Sequence, residues 1–400
     1  MTTTNDERAG HLPTLVASFL HFDLSFMLWV LIGALGISIA EQLGLSPAQR
    51  GVLVALPILS GSLLRIPLGS LSDRWGARRV GGAMLAFLAL PLSLGWLAAA
   101  SWSSMIAIGL MLGTAGASFA VALPLASAWY PPRRQGLVMG IAAAGNSGTV
   151  ITNLIAPRLA ASVGWQGVFG LAMLPLAAVL TIFLLLAREA PSRAQRRVRS
   201  MRELLREPDL WWFCLFYSVT FGGYVGLSSF LPLFLRDQHG LAPASAGMLT
   251  AIAAFVGSGA RPIGGWLADR VGGRRLLTVA LTGLAIAYAL VASGPSLQLL
   301  TMVIVAAMAC CGLGNGAVFQ LVPLRFRDEI GSVTGIIGAL GGVGGFCLPI
   351  LLGFIRQGGG SFGAGFLLLA AVAASVVVVL QTLTRHAGWR LSWRTGLAEG

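Results

Sequence analysis

The stretch Arg65-Ile-Pro-Leu-Gly69-Ser-Leu-Ser-Asp73-Arg74-Trp-Gly76-Ala-Arg78-Arg79 returns as Arg261-Pro-Ile-Gly-Gly265-Trp-Leu-Ala-Asp269-Arg270-Val-Gly272-Gly-Arg274-Arg275, 196 residues later at every matched position. A further match at nearly the same offset joins Gly136-x-x-x-Gly140 to Gly331-x-x-x-Gly335. Self-similarity over such a distance makes the chain two copies of one unit. Each copy of the first motif closes a long apolar run, so the next question is what surrounds those runs.

Composition answers it. Hydrophobic residues make up 56% of the 400 and charged residues 10%, with a mean hydropathy of +0.82. A soluble domain carries roughly 25% charge, so this chain cannot cover a water-facing surface. Disorder, a coiled coil and a secreted disulfide scaffold are excluded on the same grounds. The 53 glycines show no collagen period. The reading is an all-α polytopic membrane protein.

A crossing helix needs about 20 apolar residues for roughly 30 Å of hydrocarbon. Breaks at Gly, Pro and charge clusters predict twelve, near 14–40, 51–71, 80–100, 103–128, 136–160, 166–187, 210–235, 245–268, 276–294, 297–323, 331–355 and 363–384. The runs are too long and too unalternating for barrel strands. Met1–Gly10 is polar, and no cleavable signal peptide is expected. The segment Arg188–Asp209, with seven arginines and four acids, reads as a solvated linker. It divides the chain into a six-helix bundle at 1–187 and another at 210–400, related by an axis along the membrane normal.

In a soluble chain a net charge of +13 and a pI near 11.3 would suggest nucleic acid. Here the charge is topological, and no nucleic-acid partner is expected. All 27 basic residues are arginine. With the termini and even-numbered loops on one side, that side holds twenty-one; the other holds Arg50, Arg158, Arg236 and Arg356. The positive-inside rule places both termini in the cytoplasm of a cytoplasmic (inner) membrane. Arg65 and Arg261 are left over, inside the membrane. Cys214, Cys310, Cys311 and Cys347 lack zinc spacing and read as reduced core thiols. No nucleotide loop, metal cluster or activated nucleophile is present, so neither an enzyme nor a cofactor is implied.

The motif G-x-x-x-D-R-x-G-x-R-R, placed after the second and eighth helices, resembles the cytoplasmic signature of the major facilitator superfamily. That resemblance implies gate elements at Asp73, Arg74, Asp269 and Arg270. Helix 5 (Gly136-Leu-Val-Met-Gly140-Ile-Ala-Ala-Ala-Gly145-Asn146-Ser-Gly148) and helix 11 (Gly331-Ser-Val-Thr-Gly335-Ile-Ile-Gly338-Ala-Leu-Gly341-Gly342-Val-Gly344-Gly345) are similar to the nitrate signature of the nitrate/nitrite porter family. Phe22-Asp23-Leu-Ser-Phe26-Met-Leu-Trp29 resembles its proton-coupled branch. One departure is Ala142, where some relatives have glycine.

Burying an arginine in a membrane costs at least roughly 2.5–3.5 kcal/mol, and no acid lies within a helix turn of Arg65 or Arg261. Snorkelling to the surface is the bland alternative. Their matched depth favours a substrate role, because a guanidinium forks two N–H donors at a pair of oxygens. The resemblance implies that Phe119, Tyr217 and Phe221 sandwich or bond the anion. Tyr217 and Phe221, four apart, share a helix face. Asn146 either donates to substrate or ties helices 5 and 8 together. Gly338 and Gly341 read as sliding surface and as room for backbone approach to the anion. Asp23 is the acid inside an apolar span, either the proton-coupling group or a structural partner to a neighbouring helix, and His21 stands two residues before it.

The expected protein is a monomeric, twelve-helix importer of nitrate, coupled to protons and serving nitrate assimilation. Nitrate/nitrite antiport and another small anion (nitrite, formate, oxalate or cyanate) remain open, as does a sensor that binds nitrate without moving it. An exporter of drugs or sugars would want fewer intramembrane arginines.

Overall fold

The computed structural model describes residues 10–130, 138, 141–142, 144–190, 201–326 and 330–383. Gly136, Gly140 and the linker arginines Arg193 to Arg199 lie outside them. Among the described residues every regular element is a helix. α1 comprises Leu12–Trp29, Leu31–Ala34 and Gly36–Leu43; α2 is Pro47–Trp75, α3 Ala77–Leu97 and α4 Trp102–Ser127. After the linker come α7 (Pro208–His239), α8 (Pro243–Val271), α9 (Gly273–Ala292), α10 (Leu297–Arg325), α11 (Ile330–Gln357) and α12 (Phe362–Leu383).

The segment between, Ala144–Leu186, has 43 residues. As one helix it would reach about 65 Å, twice the hydrocarbon thickness. At Gly164 the backbone swings to φ 72°, ψ 162°, a region open to glycine, so α5 (144–163) and α6 (165–186) are separate crossings. Twelve crossing helices result among the described residues, as expected. The repeat is visible in the backbone as well as in the sequence. α2 and α8 are each 29 residues long with proline in the first turn, and each ends at a glycine with φ 90°, Gly76 or Gly272.

Three helices are less regular than their sequence suggests. α1 breaks at Val30 and Leu35, near ψ 0°, and the short piece between them carries Gly33 against the Ser229 backbone of α7. α4 tightens into a 3-10 turn over Gly113–Ser118. Its glycines are required there, since a Cβ on Gly116 would run into the Trp29 indole. α5 carries another 3-10 turn, Ala144–Ser147, after the helical residues Val138, Ile141 and Ala142. Such turns release carbonyls and amides from the α-helical ladder, and both of these lie beside the site described below.

Both described ends of the linker carry polar contacts to the bundles. Glu189 accepts from the Arg78 backbone N–H at 2.6 Å, where the missing side chain of Gly76 leaves it room. This is a carboxylate at the start of α3, favoured by the helix dipole. At the linker's other end, Arg325 closing α10 pairs with Asp209 and Glu207.

The two halves meet along α2–α11 and α5–α8 through residues without side chains. Gly51 lies on Pro349 and Gly353, Gly342 on Ser62, and Gly247 on Asn153 and Pro157. Small residues let backbones approach this closely. At the end away from the linker the junction is sealed by Arg50–Asp237 and Arg236–Glu41, each 2.7 Å. Towards the linker end it opens: a Cβ on Gly335, one turn before Gly338, would touch nothing within 4 Å.

Candidate functional site

Arg65 is 2% exposed. Its Nε donates to the Gly116 carbonyl at 2.9 Å, an oxygen turned outward by the 3-10 segment of α4. Its Nη1 donates to the Gly338 carbonyl of α11 in the other half. The guanidinium carbon lies 5.3–5.4 Å from the centroids of Trp29, Phe119 and Phe221, within cation–π range. Arg261 is half-buried and stands 5.4 Å from the centroid of Phe319.

The aromatic rings connect the two arginines. Tyr217 stacks on Phe221 at 4.8 Å with 2° between planes. Phe319 meets Tyr217 edge-on at 4.9 Å and Phe119 at 6.2 Å. Gly341 is glycine because a Cβ there would overlap the Tyr217 ring. Gly338 is less tightly placed, its missing Cβ 3.2 Å from Arg65 Nη1. Thus Arg65, Arg261, Phe119, Tyr217, Phe221, Gly338 and Gly341 come together in one cluster between the halves.

Two nitrogens complete the geometry. Arg65 Nη2 and Arg261 Nη1 are buried and have no hydrogen-bond partner among the described residues. Each half contributes one. A buried charged donor left unpaired is costly, and an anion between the two removes that cost. The fork expected of Arg65 is therefore partly engaged by backbone, with Nη2 left over.

Residues 17–325 match the Major Facilitator Superfamily. Over 358 residues the chain is 37% identical to the nitrite extrusion protein of Bacillus subtilis (strain 168), covering 89% of this chain and 90% of that one. It is 35% identical to the probable nitrate/nitrite antiporter NarK1 of Thermus thermophilus, with 95% of each chain covered. The chain belongs to the nitrate/nitrite porter family of that superfamily. A solved bacterial homologue of the human lysosomal transporter Spinster shares the fold, with a TM-score of 0.68 at 22% identity over 95% of this chain and 96% of that one. The protein is thus a multi-pass membrane transporter by family.

Other expected residues of this porter lie around the cluster. Asn146 is buried in the 3-10 turn of α5, its Oδ1 without a partner among the described residues. Asp23 stands apart from the arginines and accepts from the Ser147 hydroxyl at 2.6 Å, while Gly145 and Gly148 allow its backbone to lie against α5. His21 is fully buried, with Nδ1 2.7 Å from the Ser118 hydroxyl and Nε2 3.2 Å from the Gly81 carbonyl. The expected gate residues Asp73, Arg74, Asp269 and Arg270 are exposed at the linker end. Asp73 and Asp269 form no ion pair among the described residues, and Arg270 packs over Trp266 at 4.0 Å.

Sequence reasoning missed Phe319, though a signal existed. Gly116-Ala117-x-Phe119 of α4 returns in α10 as Gly316-Ala317-x-Phe319. It missed Tyr224 as well, which stands seven residues after Tyr217 on the same face of α7 and is 1% exposed.

Proposed function

We propose that this protein carries nitrate across the cytoplasmic membrane into the cell by alternating access, in symport with protons, with both termini cytoplasmic. One observation carries the reading: two buried, unpartnered guanidinium nitrogens, one from each half, held beside aromatic faces. Nitrate is small and planar, spreads one charge over three oxygens, and is weakly basic. Its oxygens suit the guanidinium donors and its face suits Phe119, Phe221 or Phe319. Bound there, the anion touches both halves, so bundles 1–187 and 210–400, joined by 188–209, would move around it as a monomer.

The orientation rests on the arginine bias, which makes the linker end cytoplasmic. The closed outer junction and the parted inner one then describe a site that opens to the cytoplasm. Asp73, Arg74, Asp269 and Arg270 are the inner gate, with Asp73 and Asp269 outside any ion pair among the described residues and drawn into ion pairs when the inner ends close. Asp23 is the proton-coupling group, acting through its bond to Ser147 on the turn that carries Asn146.

The test is labelled-nitrate uptake into proteoliposomes under an inward proton gradient or with internal nitrite. Symport requires uptake with the proton gradient alone and loss of that dependence in Asp23→Asn. The second reading is nitrate/nitrite exchange. It is favoured by the place of Asp23 outside the arginine–aromatic cluster, and the names of two relatives speak of extrusion and antiport. Rapid uptake with internal nitrite and none with a pH gradient would establish it, and Asp23 would then be structural.

A further inference from the structure

The α7 face that presents Tyr217 and Phe221 continues one turn on to Tyr224, and the hydroxyl of Tyr224 is the meeting point of three helices. It lies 2.9 Å from Thr149 Oγ1 of α5 and 2.6 Å from Ser258 Oγ of α8. Thr149 Oγ1 in turn donates to the Asn146 carbonyl at 2.8 Å. Gly257 makes room for the tyrosine ring, which occupies the space its Cβ would take.

The Tyr224 hydroxyl also lies 3.4 Å from the Ala254 carbonyl of α8. Hydroxyls both donate and accept, so Ser258, Tyr224, Thr149 and the Asn146 carbonyl form one continuous hydrogen-bonded chain. Its two ends are significant. Thr149 stands one helical turn from Asn146, and Ser258 one turn from Arg261, in each case towards the end away from the linker. Thr149 belongs to the first six helices; Tyr224 and Ser258 belong to the last six. Among these bonds, Tyr224–Thr149 alone crosses between the halves.

We propose that Tyr224 is a positioning residue for the anion site, its hydroxyl holding the Asn146 turn of α5 in register with the Arg261 turn of α8, and that this bond breaks each time the site opens away from the linker. The proposal rests on the reading of Arg65 and Arg261 as the anion site. Tyr224 touches no substrate in this scheme. It is the innermost contact of the outer seal, with Arg50–Asp237 and Arg236–Glu41 as the rim beyond it.

The experiment measures opening directly, without nitrate. Ser229→Cys, on the buried face of α7 against Gly33, is introduced with Cys347→Ser to remove the exposed native thiol. Its labelling by a membrane-impermeant thiol reagent reports opening of the outer junction. Tyr224→Phe keeps the ring and removes one inter-half hydrogen bond, so labelling should quicken about 2- to 10-fold. Thr149→Val should do the same, and the double variant should be no faster than either single one. Ser258→Ala removes a shorter bond that lies within one half, and should change labelling less than twofold. An unchanged rate in Tyr224→Phe, or an equal effect from Ser258→Ala, overturns the proposal. Nitrate binding to Arg261→Lys, followed by tryptophan fluorescence, tests the underlying site separately. Retained affinity there refutes the site reading, while the labelling ratios stand or fall without it.

Discussion

Replacing each intramembrane arginine by lysine should give two different kinds of damage. Arg65 performs two tasks: Nε and Nη1 hold the Gly116 and Gly338 carbonyls, and Nη2 is left for the anion. A lysine brings one ammonium on a flexible stem, which cannot reach both carbonyls and an anion in that fixed geometry. A hydrogen bond involving a charged group is worth ~1.5–3 kcal/mol, so losing the anion contact alone should weaken nitrate binding about 10- to 150-fold. Releasing a buried carbonyl should cost the empty protein a further ~1–3 kcal/mol. Arg261 is half-buried, packs on one ring, and has its free Nη1 as its distinctive feature. Arg261→Lys should therefore lose binding to a similar degree while leaving the empty protein nearly as stable. The assay is thermal unfolding in detergent, followed by tryptophan fluorescence, with and without nitrate. Wild type should gain ~2.7 kcal/mol at 100 times its Kd, seen as a rise in Tm. At the same nitrate concentration both variants should keep about half of that gain or less. Only Arg65→Lys should start from a lower Tm. Equal loss of Tm in the two empty variants would refute the division of labour, and near-normal uptake in either would refute the anion clamp.

Other perturbations follow from the same geometry. Gly341→Ala pushes a methyl into Tyr217, whose ring is trapped between Phe221 and Phe319; overpacking of ~1–3 kcal/mol should lower Tm and raise the nitrate KM. Gly335→Ala has open space and should do neither. Asp237→Asn removes an ion pair whose side chains are 26% and 18% exposed, worth ~0.2–1 kcal/mol at such a surface. It should therefore speed labelling of Ser229→Cys no more than about fivefold, and less in high salt. Asp73→Asn should slow turnover while leaving nitrate affinity within twofold, when flux and fluorescence binding are measured on one preparation. Reduced affinity with intact turnover per bound anion would remove it from the gate.

The residues legible in the sequence were those whose chemistry is out of place in a membrane. Arg65 and Arg261 are cations in apolar runs at one repeat offset, and Gly76 and Gly272 mark turns that need positive φ. Phe319 was hidden by the same repeat that revealed the arginines. Its match to Phe119 falls at an offset of 200 rather than 196, because Phe319 stands deeper into α10, counted from Leu297, than Phe119 does into α4, counted from Trp102. A fixed-offset comparison passes over it, and an aromatic residue in a membrane helix is unremarkable by itself. Tyr224 was hidden for another reason. Its partners lie 75 and 34 residues away on other helices, and no periodicity within α7 distinguishes a packed tyrosine from one that joins two halves.

The partners of Arg65 were beyond any motif. Every residue offers a carbonyl, so a sequence cannot say that Gly116 and Gly338 are the ones engaged. What selects Gly116 is the 3-10 turn at Gly113–Ser118, which turns its carbonyl out of the α-helical ladder. Within that turn Trp29 fills the space a side chain on Gly116 would need, and the indole is itself anchored to the Pro57 carbonyl at 2.6 Å. The position of Arg65 thus depends on a tryptophan from α1, a proline carbonyl from its own helix, and a glycine from α4. A substitution at any of these, far from the anion in sequence, should move the guanidinium before it changes the fold. Trp29→Phe is the mildest such change, since it removes the indole N–H and leaves an aromatic ring. It should weaken nitrate binding although Trp29 offers the anion no hydrogen bond. Unchanged affinity in that variant would mean that Gly338 alone is enough to hold Arg65 in place.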